Sequence, residues 1–329
     1  MSNIKILEEH SRSLNLILSQ SLERHKTRPI ILFFSGGVDC LWIYAALKGI
    51  GHENFKLVHF IPEEIDPYKI RDFQNVKKFE KITGEKVEYI KYPVLDKKLH
   101  LKNIKRSNYG YFRTIEQFII DEKLFNQKEQ LLIRGEDRRI HTPFLRYSDY
   151  VSHSRKFGLP YWKNSNSFKG EHILSSFWNQ IIGKNSKNFK SKFGNSYDFK
   201  KMSYHQAHMI LCTEIEKNQC YEDERISGLY GERDVIFPFS ADDFLDYSIK
   251  VSEDVCNYLK RPSINEFYNQ KIIIHLALKE YKISSEIINS KSTLETDHVE
   301  FHDFLLNEGF SEGTLLQRWN NYIEKISQN

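Results

Sequence analysis

The sequence predicts an α/β fold with a doubly wound parallel sheet, and three observations lead to this prediction. Short apolar segments alternate with segments of helical spacing along residues 1–150. The segment 29–34, Pro-Ile-Ile-Leu-Phe-Phe, is wholly apolar, which is typical of a strand buried on both faces of a parallel sheet. A glycine-rich turn follows it directly. Sheets of this kind bind ligands at the carboxyl ends of their strands.

Each element is predicted from the spacing of its apolar residues. Helical spacing indicates an opening amphipathic helix over residues 4–25, and the apolar run indicates the first strand over 29–34. The elements that follow alternate in type, and they are helix 41–47, strand 55–60, helix 67–82, strand 86–90, helix 111–125 and strand 130–134. Beyond residue 205 the pattern is mainly helical, with segments 205–217, 241–259 and 265–281.

The secondary-structure pattern and the distribution of charge together divide the chain into three parts. These are an α/β core over 1–150, a basic insertion over 151–204 and a helical part over 205–329. Residues 155–201 carry ten basic and two acidic side chains, a net +8, whereas the whole chain carries +4. This segment is rich in Asn, Ser and Gly and has no helical or strand period. Two interpretations stay open: a solvated surface loop, or a loop that binds an anionic substrate or covers a site.

Composition excludes several classes of protein. The chain has 23 Phe and 18 Tyr, too many for a disordered protein. No apolar run approaches the ~20 residues of a membrane span, and the first residues do not resemble a secretory signal. The four cysteines, Cys40, Cys212, Cys220 and Cys256, lack the spacing of a zinc ribbon or a disulfide framework. We therefore expect a cytoplasmic protein without membrane partners.

The most specific motif lies where the first strand meets its helix. Residues 34–40 are Phe-Ser-Gly-Gly-Val-Asp-Cys. Two glycines let the backbone turn tightly, so that several N–H groups converge on a phosphate at the helix N-terminus. An aspartate there cannot itself hold phosphate, but it can bind Mg²⁺ carried by a nucleotide. The predicted nucleotide-binding residues are Ser35, Gly36, Gly37, Val38, Asp39 and Cys40.

This segment resembles the SGGxDS loop of the ATP pyrophosphatases, which cleave ATP between its α and β phosphates. Cys40 stands where the family loop ends in serine. If that position donates through its backbone N–H, the change is tolerable; if it donates through a hydroxyl, phosphate binding weakens. The resemblance implies the adenine nucleotide α hydrolase type of sheet, ATP as the nucleotide and Mg²⁺ bound by Asp39.

A second segment is similar to the synthetase domain of asparagine synthetase and its relatives, which include β-lactam synthetase. Leu-Ile-Arg-Gly-Glu-Asp over 132–137 resembles that family's strand followed by GEGxDE. Gly135 and Glu136 are in register, and Asp137 comes two positions early. The resemblance implies that Gly135 lines the nucleotide site and that Glu136 or Asp137 supplies the second Mg²⁺ contact. The choice between the two acids stays open, and so does an ordinary charged turn.

Two later segments extend the resemblance over most of the chain. Residues 237–246 are similar to the family's xPFLDxxFLD segment, which organises the floor of the pocket. Residues 225–233 resemble its DRxSM and GxExR stretches. Lys271 opens a segment similar to the KxxLRxAx helix, whose lysine reaches the reacting centre. The resemblance implies that Lys271 stabilises negative charge there, although a lone helical lysine is usually solvated.

The implied activity is that of an ATP-dependent carbon–nitrogen ligase. It adenylates a small-molecule or peptide carboxylate, releases pyrophosphate and forms an amide or lactam with ammonia or an amine, in specialised metabolism. Asparagine synthetase also has a glutaminase domain with Cys after the initiator Met, where this chain has Ser2. We therefore expect a synthetase domain alone, with a separate glutaminase left open as the ammonia source.

Two alternatives of other classes stay open. The first is a related enzyme that modifies tRNA or a nucleobase, with the basic, aromatic-containing segment 155–201 binding the phosphates. The second is a non-catalytic nucleotide-binding subunit, which the change to Cys40 and the displaced Asp137 suggest.

Overall fold

The structure is a computed structural model, and the residues that it describes fall into two units. The first contains the described residues of 1–24 and 238–282, and the second those of 25–135, 234–237 and 283–325. The predicted basic insertion 151–204 and helix 205–217 lie outside the described residues. The described residues are 3–64, 66–93, 96–106, 118, 119, 121–125, 129–135, 234–241, 243, 244, 246–248, 250, 251, 254, 272–288, 305–313, 318, 321, 322, 324 and 325.

The second unit is built on a five-stranded sheet in which every described pairing is parallel. The strands are β1 (Ile30–Phe33), β2 (Phe55–Pro62), β3 (Val87–Tyr92), β4 (Leu131–Arg134) and β5 (Val235–Ile236), in the spatial order β3-β2-β1-β4-β5. The chain therefore builds outward from β1 in both directions, as in a doubly wound sheet. This order confirms the predicted α/β fold with a parallel sheet.

The short strand β5 was not predicted. It has two residues, too few to show a period, and its pairing with β4 defines it. The backbone N–H of Leu132 donates to the carbonyl of Asp234 at 3.0 Å. The Arg28 guanidinium lies 2.7 Å from the carboxylate of the same aspartate.

Two helices of the sheet unit follow β1 and β2. Helix α2 (Val38–Gly49) begins three residues before the predicted start, and every residue from Val38 to Leu47 except Asp39 is buried. Helix α3 (Arg71–Thr83) is preceded by a separate 3-10 turn at Pro67–Lys69, where one helix over 67–82 was predicted. The Asp66 carboxylate accepts the Tyr68 N–H at 3.1 Å and caps that turn. Extended backbone at Ile70 then separates the turn from α3.

A third helix of this unit, α4 (Lys97–Arg106), was not predicted. Its sequence, KKLHLKNIKR, is so basic that its few apolar residues give a weak signal. Of the helix predicted over 111–125, the structure describes residues 118, 119 and 121–125, and the first three of these are helical.

The two faces of the sheet are packed differently. On one face, the Phe34 ring contacts Tyr44 of α2 and Phe79 of α3, at 6.3 and 4.6 Å between ring centroids. On the other face, Ile31, Val58, Leu132 and Ile119 form a buried apolar cluster. Burial of both faces explains why the first strand is wholly apolar, as the sequence predicted.

The first unit contains α1 (Asn3–Glu23), within one residue of its predicted start, and α5 (Ile272–Glu280), inside the predicted segment 265–281. The two helices pack together. The side-chain amide of Asn15 donates to the carbonyl of Ala277 at 3.2 Å and to the Glu280 carboxylate at 3.0 Å. A short helix α6 (Ser285–Ile288) belongs to the sheet unit. None of the described helices is both long and apolar enough to span a membrane.

Candidate functional site

The glycine motif lies at the place where a doubly wound sheet binds its ligands. Residues 34–37 connect β1 to α2, and β1 has β2 on one side and β4 on the other. The connections after β1 and β4 therefore leave neighbouring strands at the point where the strand order reverses. In doubly wound sheets, ligands bind outside the carboxyl ends of the strands at such a point.

The backbone of this loop is shaped as the motif predicts. Gly36 has a φ of +73°, a conformation that side chains with a Cβ rarely adopt. Gly37 is extended and forms the N-cap of α2, and the N–H of Leu41 donates to its carbonyl at 2.9 Å. The Ser35 hydroxyl oxygen accepts the N–H of Gly37 at 3.3 Å. Leu41 is thus the first residue whose N–H has an intrahelical acceptor, and the first turn before it, at residues 38–40, is the part of a helix that is suited to an anion.

Two close backbone approaches hold this loop in place. A Cβ on Gly36 would lie 3.0 Å from the Cβ of Asn75 and 3.0 Å from the backbone nitrogen of Val76, both in α3. A Cβ on Gly135, the residue after β4, would lie 2.9 Å from the Sγ of Cys40. The structure thus brings Gly135 together with the motif at residues 35–40. The loop is held between α3 and the end of β4, and glycine is needed at both contacts.

Cys40 is buried, and its side chain faces protein atoms. Its Sγ lies 3.5 Å from the Ser35 hydroxyl and packs on Gly135. In this arrangement the thiol fills space between the loop and β4, while the backbone N–H belongs to the first turn of α2. The Cys40 side chain therefore has a packing role in the described structure.

The packing at Gly135 provides a test of this arrangement. We expect Gly135→Ala to lower the free energy of unfolding by about 1–3 kcal/mol, because the new methyl overlaps the Cys40 thiol. Adding Cys40→Ala removes the overlap with the thiol and leaves only the 3.2 Å approaches to the Cys40 backbone, so the double variant should recover at least ~0.5 kcal/mol relative to the sum of the single effects. Urea unfolding of the four proteins measures this coupling. Strict additivity would show that the two residues are not in contact.

Of the three acids predicted to bind Mg²⁺, Asp39 is the one that lies within the described residues. It lies half-buried in the first turn of α2, where a negative charge interacts favourably with the helix dipole. Mg²⁺ in nucleotide sites is usually held by one or two carboxylates together with phosphate oxygens, so Asp39 fits a nucleotide-borne ion. Glu136 and Asp137 lie outside the described residues. Among the described residues, no group of three His, Cys, Asp or Glu side chains could hold a metal ion.

His59 on β2 is a site residue that the sequence reasoning missed. Its Nδ1–H donates to the carbonyl of Phe34 at 2.9 Å, and its ring lies among Phe73 and Tyr89. Burial lowers the pKa of His59 from 6.5 to about 4, against the opposing effect of the bond to Phe34. A neutral histidine thus connects the start of the glycine loop, residues 34–37, to β2. Its only sequence signal is a polar residue inside an apolar strand.

This histidine makes the stability of the fold depend on pH. Its folded pKa of about 4 is below the unfolded value of 6.5, so the unfolded chain binds a proton first as the pH falls. The contribution of His59 to the free energy of unfolding is complete above pH ~6.5. It is lost as the pH falls toward ~4, at up to about 1.4 kcal/mol per pH unit. We expect His59→Asn, which keeps a donor but does not titrate, to flatten this dependence. Urea unfolding at pH 7, 6 and 5 tests it, and parallel profiles for the two proteins would contradict it.

Arg134 is a further residue near the loop, and only the structure shows that its side chain is buried. It is the last residue of β4, directly before Gly135, and its side chain is buried. The guanidinium lies 5.9 Å from the centre of the Phe33 ring. A buried positive charge one residue from the loop contact is electrostatically suited to an anionic ligand.

The later motifs are described only in part. Phe239 and Phe244 are fully buried in the first unit, with ring centroids 5.3 Å apart, and Asp246 is exposed. The two phenylalanines thus have a packing role in the described part of segment 237–246. Lys271 and residues 225–233 lie outside the described residues. The helix α5 begins directly after Lys271.

Comparison of the chain with protein-family models finds no match, and comparison with curated proteins finds no similar sequence.

Proposed function

We propose that this protein is an ATP- and Mg²⁺-dependent ligase that adenylates a carboxylate and transfers the acyl group to nitrogen. The observation that supports the proposal is the glycine loop after β1, which presents helix N–H groups and Asp39 at the switch point of a parallel sheet. The acyl substrate is a small-molecule or peptide carboxylate, and the nitrogen comes from ammonia or an amine.

The proposed reaction has two steps. A carboxylate oxygen attacks the α-phosphorus of ATP, the bond to the bridging oxygen breaks, and pyrophosphate leaves. The nitrogen then attacks the acyl carbon, AMP leaves with the bonding electrons, and the nitrogen loses a proton to give the amide. Activation is needed because a carboxylate oxygen is a poor leaving group near neutral pH, whereas AMP leaves readily.

The loop residues supply binding and orientation in this scheme. The start of α2 would hold the departing pyrophosphate, since the dipole and the N–H groups of a helix N-terminus favour an anion. Asp39, with Glu136 or Asp137, would hold Mg²⁺, which neutralises charge on the phosphate oxygens. By the sequence resemblance, Lys271 would stabilise the charge that grows during the transfer.

A pyrophosphate-release screen tests the proposal. The full chain is incubated with ATP, Mg²⁺ and a panel of carboxylates, with and without ammonium, and pyrophosphate is measured. We expect release that depends on one class of carboxylate, and amide formation when the nitrogen donor is present. Pyrophosphate release without any carboxylate would contradict the ligase proposal.

Lys271 is tested in the same screen. We expect Lys271→Ala to lower turnover on the order of 100-fold, because a fixed positive charge at the reacting centre is lost. Lys279→Ala provides the matched control, since Lys279 is an exposed lysine in the last turn of α5. Equal turnover in the two variants would remove Lys271 from the mechanism.

A nucleic-acid-modifying enzyme is the second candidate function, and the basic segment 155–201 favours it. Its ten basic side chains would bind phosphates and release counterions, so affinity for bulk tRNA should fall steeply with salt. Indifference to tRNA at low salt would reject this candidate. The third candidate, a non-catalytic nucleotide-binding subunit, is rejected by pyrophosphate release with any substrate, provided that Asp39→Asn abolishes the release.

A further inference from the structure

Helix α3 places a polar side chain within its apolar face. The buried residues of this helix are Phe73, Asn75, Val76 and Phe79, and three of the four are apolar. Asn75 is 8% exposed. A carboxamide at such a position is costly unless its donors and acceptor form hydrogen bonds, since burial removes them from water.

The side-chain amide of Asn75 has such a cost. Its Nδ2 is buried and has no hydrogen-bond partner within the described part of the chain. Asn15 of the first unit provides a contrast, because it is also 8% exposed but its Nδ2 donates to Ala277 and Glu280. The fold therefore satisfies one buried asparagine donor and leaves the other without a hydrogen-bond partner in the described part of the chain.

The side chain that carries this donor begins beside the glycine loop, residues 34–37. A Cβ on Gly36 would lie 3.0 Å from the Cβ of Asn75, so the side chain starts in contact with the loop backbone. The amide nitrogen is two covalent bonds beyond that Cβ. Gly36 is also the residue whose φ of +73° turns the chain toward the N–H groups of α2. Asn75 therefore lies beside the turn that leads to those N–H groups.

We propose that Asn75 is a further ligand-binding residue of this loop, donating a hydrogen bond from Nδ2 to an oxygen of a bound polyphosphate. The inference rests on the proposed function, and it adds a neutral donor from α3 to the N–H groups of α2. A neutral donor suits this place, because it binds a phosphate oxygen without adding charge to a buried environment. The proposed ligand class is inorganic pyrophosphate or the polyphosphate of ATP.

Two variants separate binding from packing. Asn75→Leu keeps the approximate volume and removes the donor, whereas Asn75→Asp keeps the shape and brings a carboxylate toward the phosphates. Binding of Mg²⁺–pyrophosphate and Mg²⁺–ATP is measured by calorimetry, and the ligand-free melting temperature is measured in parallel. We expect both variants to weaken pyrophosphate and ATP binding by about 10-fold or more, with Asn75→Asp the weaker binder.

The ligand-free melting temperature should distinguish a ligand-binding role from a structural one. We expect Asn75→Leu to melt at or above the wild-type temperature, because it removes an unsatisfied donor from the core. The control Asn15→Leu should melt lower and bind pyrophosphate as the wild type does, because it breaks two existing hydrogen bonds. Weaker pyrophosphate binding with an unchanged or higher melting temperature in Asn75→Leu, and the reverse in Asn15→Leu, would support the inference.

The outcomes also separate this inference from the function on which it rests. If wild type and both Asn75 variants bind pyrophosphate with equal affinity, the role of Asn75 is overturned while nucleotide binding stands. If Asn75→Leu melts lower and binds normally, Asn75 is a packing residue. If wild type binds neither pyrophosphate nor ATP, the proposed function fails, and the inference fails with it.

Discussion

Replacing Asp39 by asparagine is expected to reduce Mg²⁺-dependent pyrophosphate release by about 100-fold or more. Asparagine has nearly the same shape and keeps one oxygen, so the first turn of α2 should remain folded. It lacks the negative charge that a divalent ion requires, and Mg²⁺ prefers carboxylate and phosphate oxygens. The loss should therefore appear as a weaker response of pyrophosphate release to added Mg²⁺. The melting temperature should change little.

Asp72 provides a matched control for this prediction. It lies half-buried in the first turn of α3, as Asp39 lies half-buried in the first turn of α2. Both carboxylates interact with a helix N-terminus, so Asp72→Asn should reproduce the effect of Asp39→Asn on helix stability. It should leave turnover within about 3-fold of wild type. Similar turnover in the two variants would show that Asp39 acts only on the helix.

Gly36→Ala is expected to disrupt the phosphate loop. The substitution forces a Cβ into a left-handed conformation and places it 3.0 Å from both the Asn75 Cβ and the Val76 backbone nitrogen. The strain alone costs about 1–2 kcal/mol, and the overlap with helix backbone adds a similar amount. We expect a loss of roughly 2–4 kcal/mol in the free energy of unfolding, with ATP binding abolished at millimolar concentration.

Gly84→Ala separates the two causes, because it shares the conformation without the contact. Gly84 also has a φ of +73°, but a Cβ there would meet nothing within 4 Å. Its substitution should cost only the strain, about 1–2 kcal/mol, and leave ATP binding unchanged. The measurements are urea unfolding and calorimetric titration with Mg²⁺–ATP. Equal stability losses in the two variants would mean that α3 does not restrain the loop.

Much of the sheet could be predicted because its signals are local. Burial on both faces requires continuous apolar strands, and these are visible in segments such as 29–34. The missed elements are those whose signals are weak or non-local. The many basic residues of α4 leave too few apolar positions to show a helical period. Strand β5 has two residues and is defined by its pairing with β4. Helix α3 begins later than predicted because Asp66 caps a separate turn at Pro67–Lys69.

Some features of the candidate site could likewise be predicted from local sequence, and others depend on tertiary contacts. The glycine loop was predictable, since a left-handed φ at Gly36 and a helix start at Val38 are local requirements of the chain. His59 and Asn75 were not, because neither residue is distinctive until the strand and helix that carry them are placed beside the loop. Glu136, Asp137 and Lys271 stay sequence predictions, since they lie outside the described residues.

The sequence by itself determined the alternation of strand and helix, the parallel sheet and the glycine turn after the first strand. Each follows from residue type and spacing, because apolar strands and glycine turns are specified within a few neighbouring residues. Only the tertiary structure decided that the loop lies at the reversal of strand order, that Gly135 packs on Cys40, and that Asn75 stands beside Gly36. The two residue contacts join positions about 40 to 95 apart in the sequence. They form because separate segments of the chain pack against each other, and the local spacing of residues does not encode that packing.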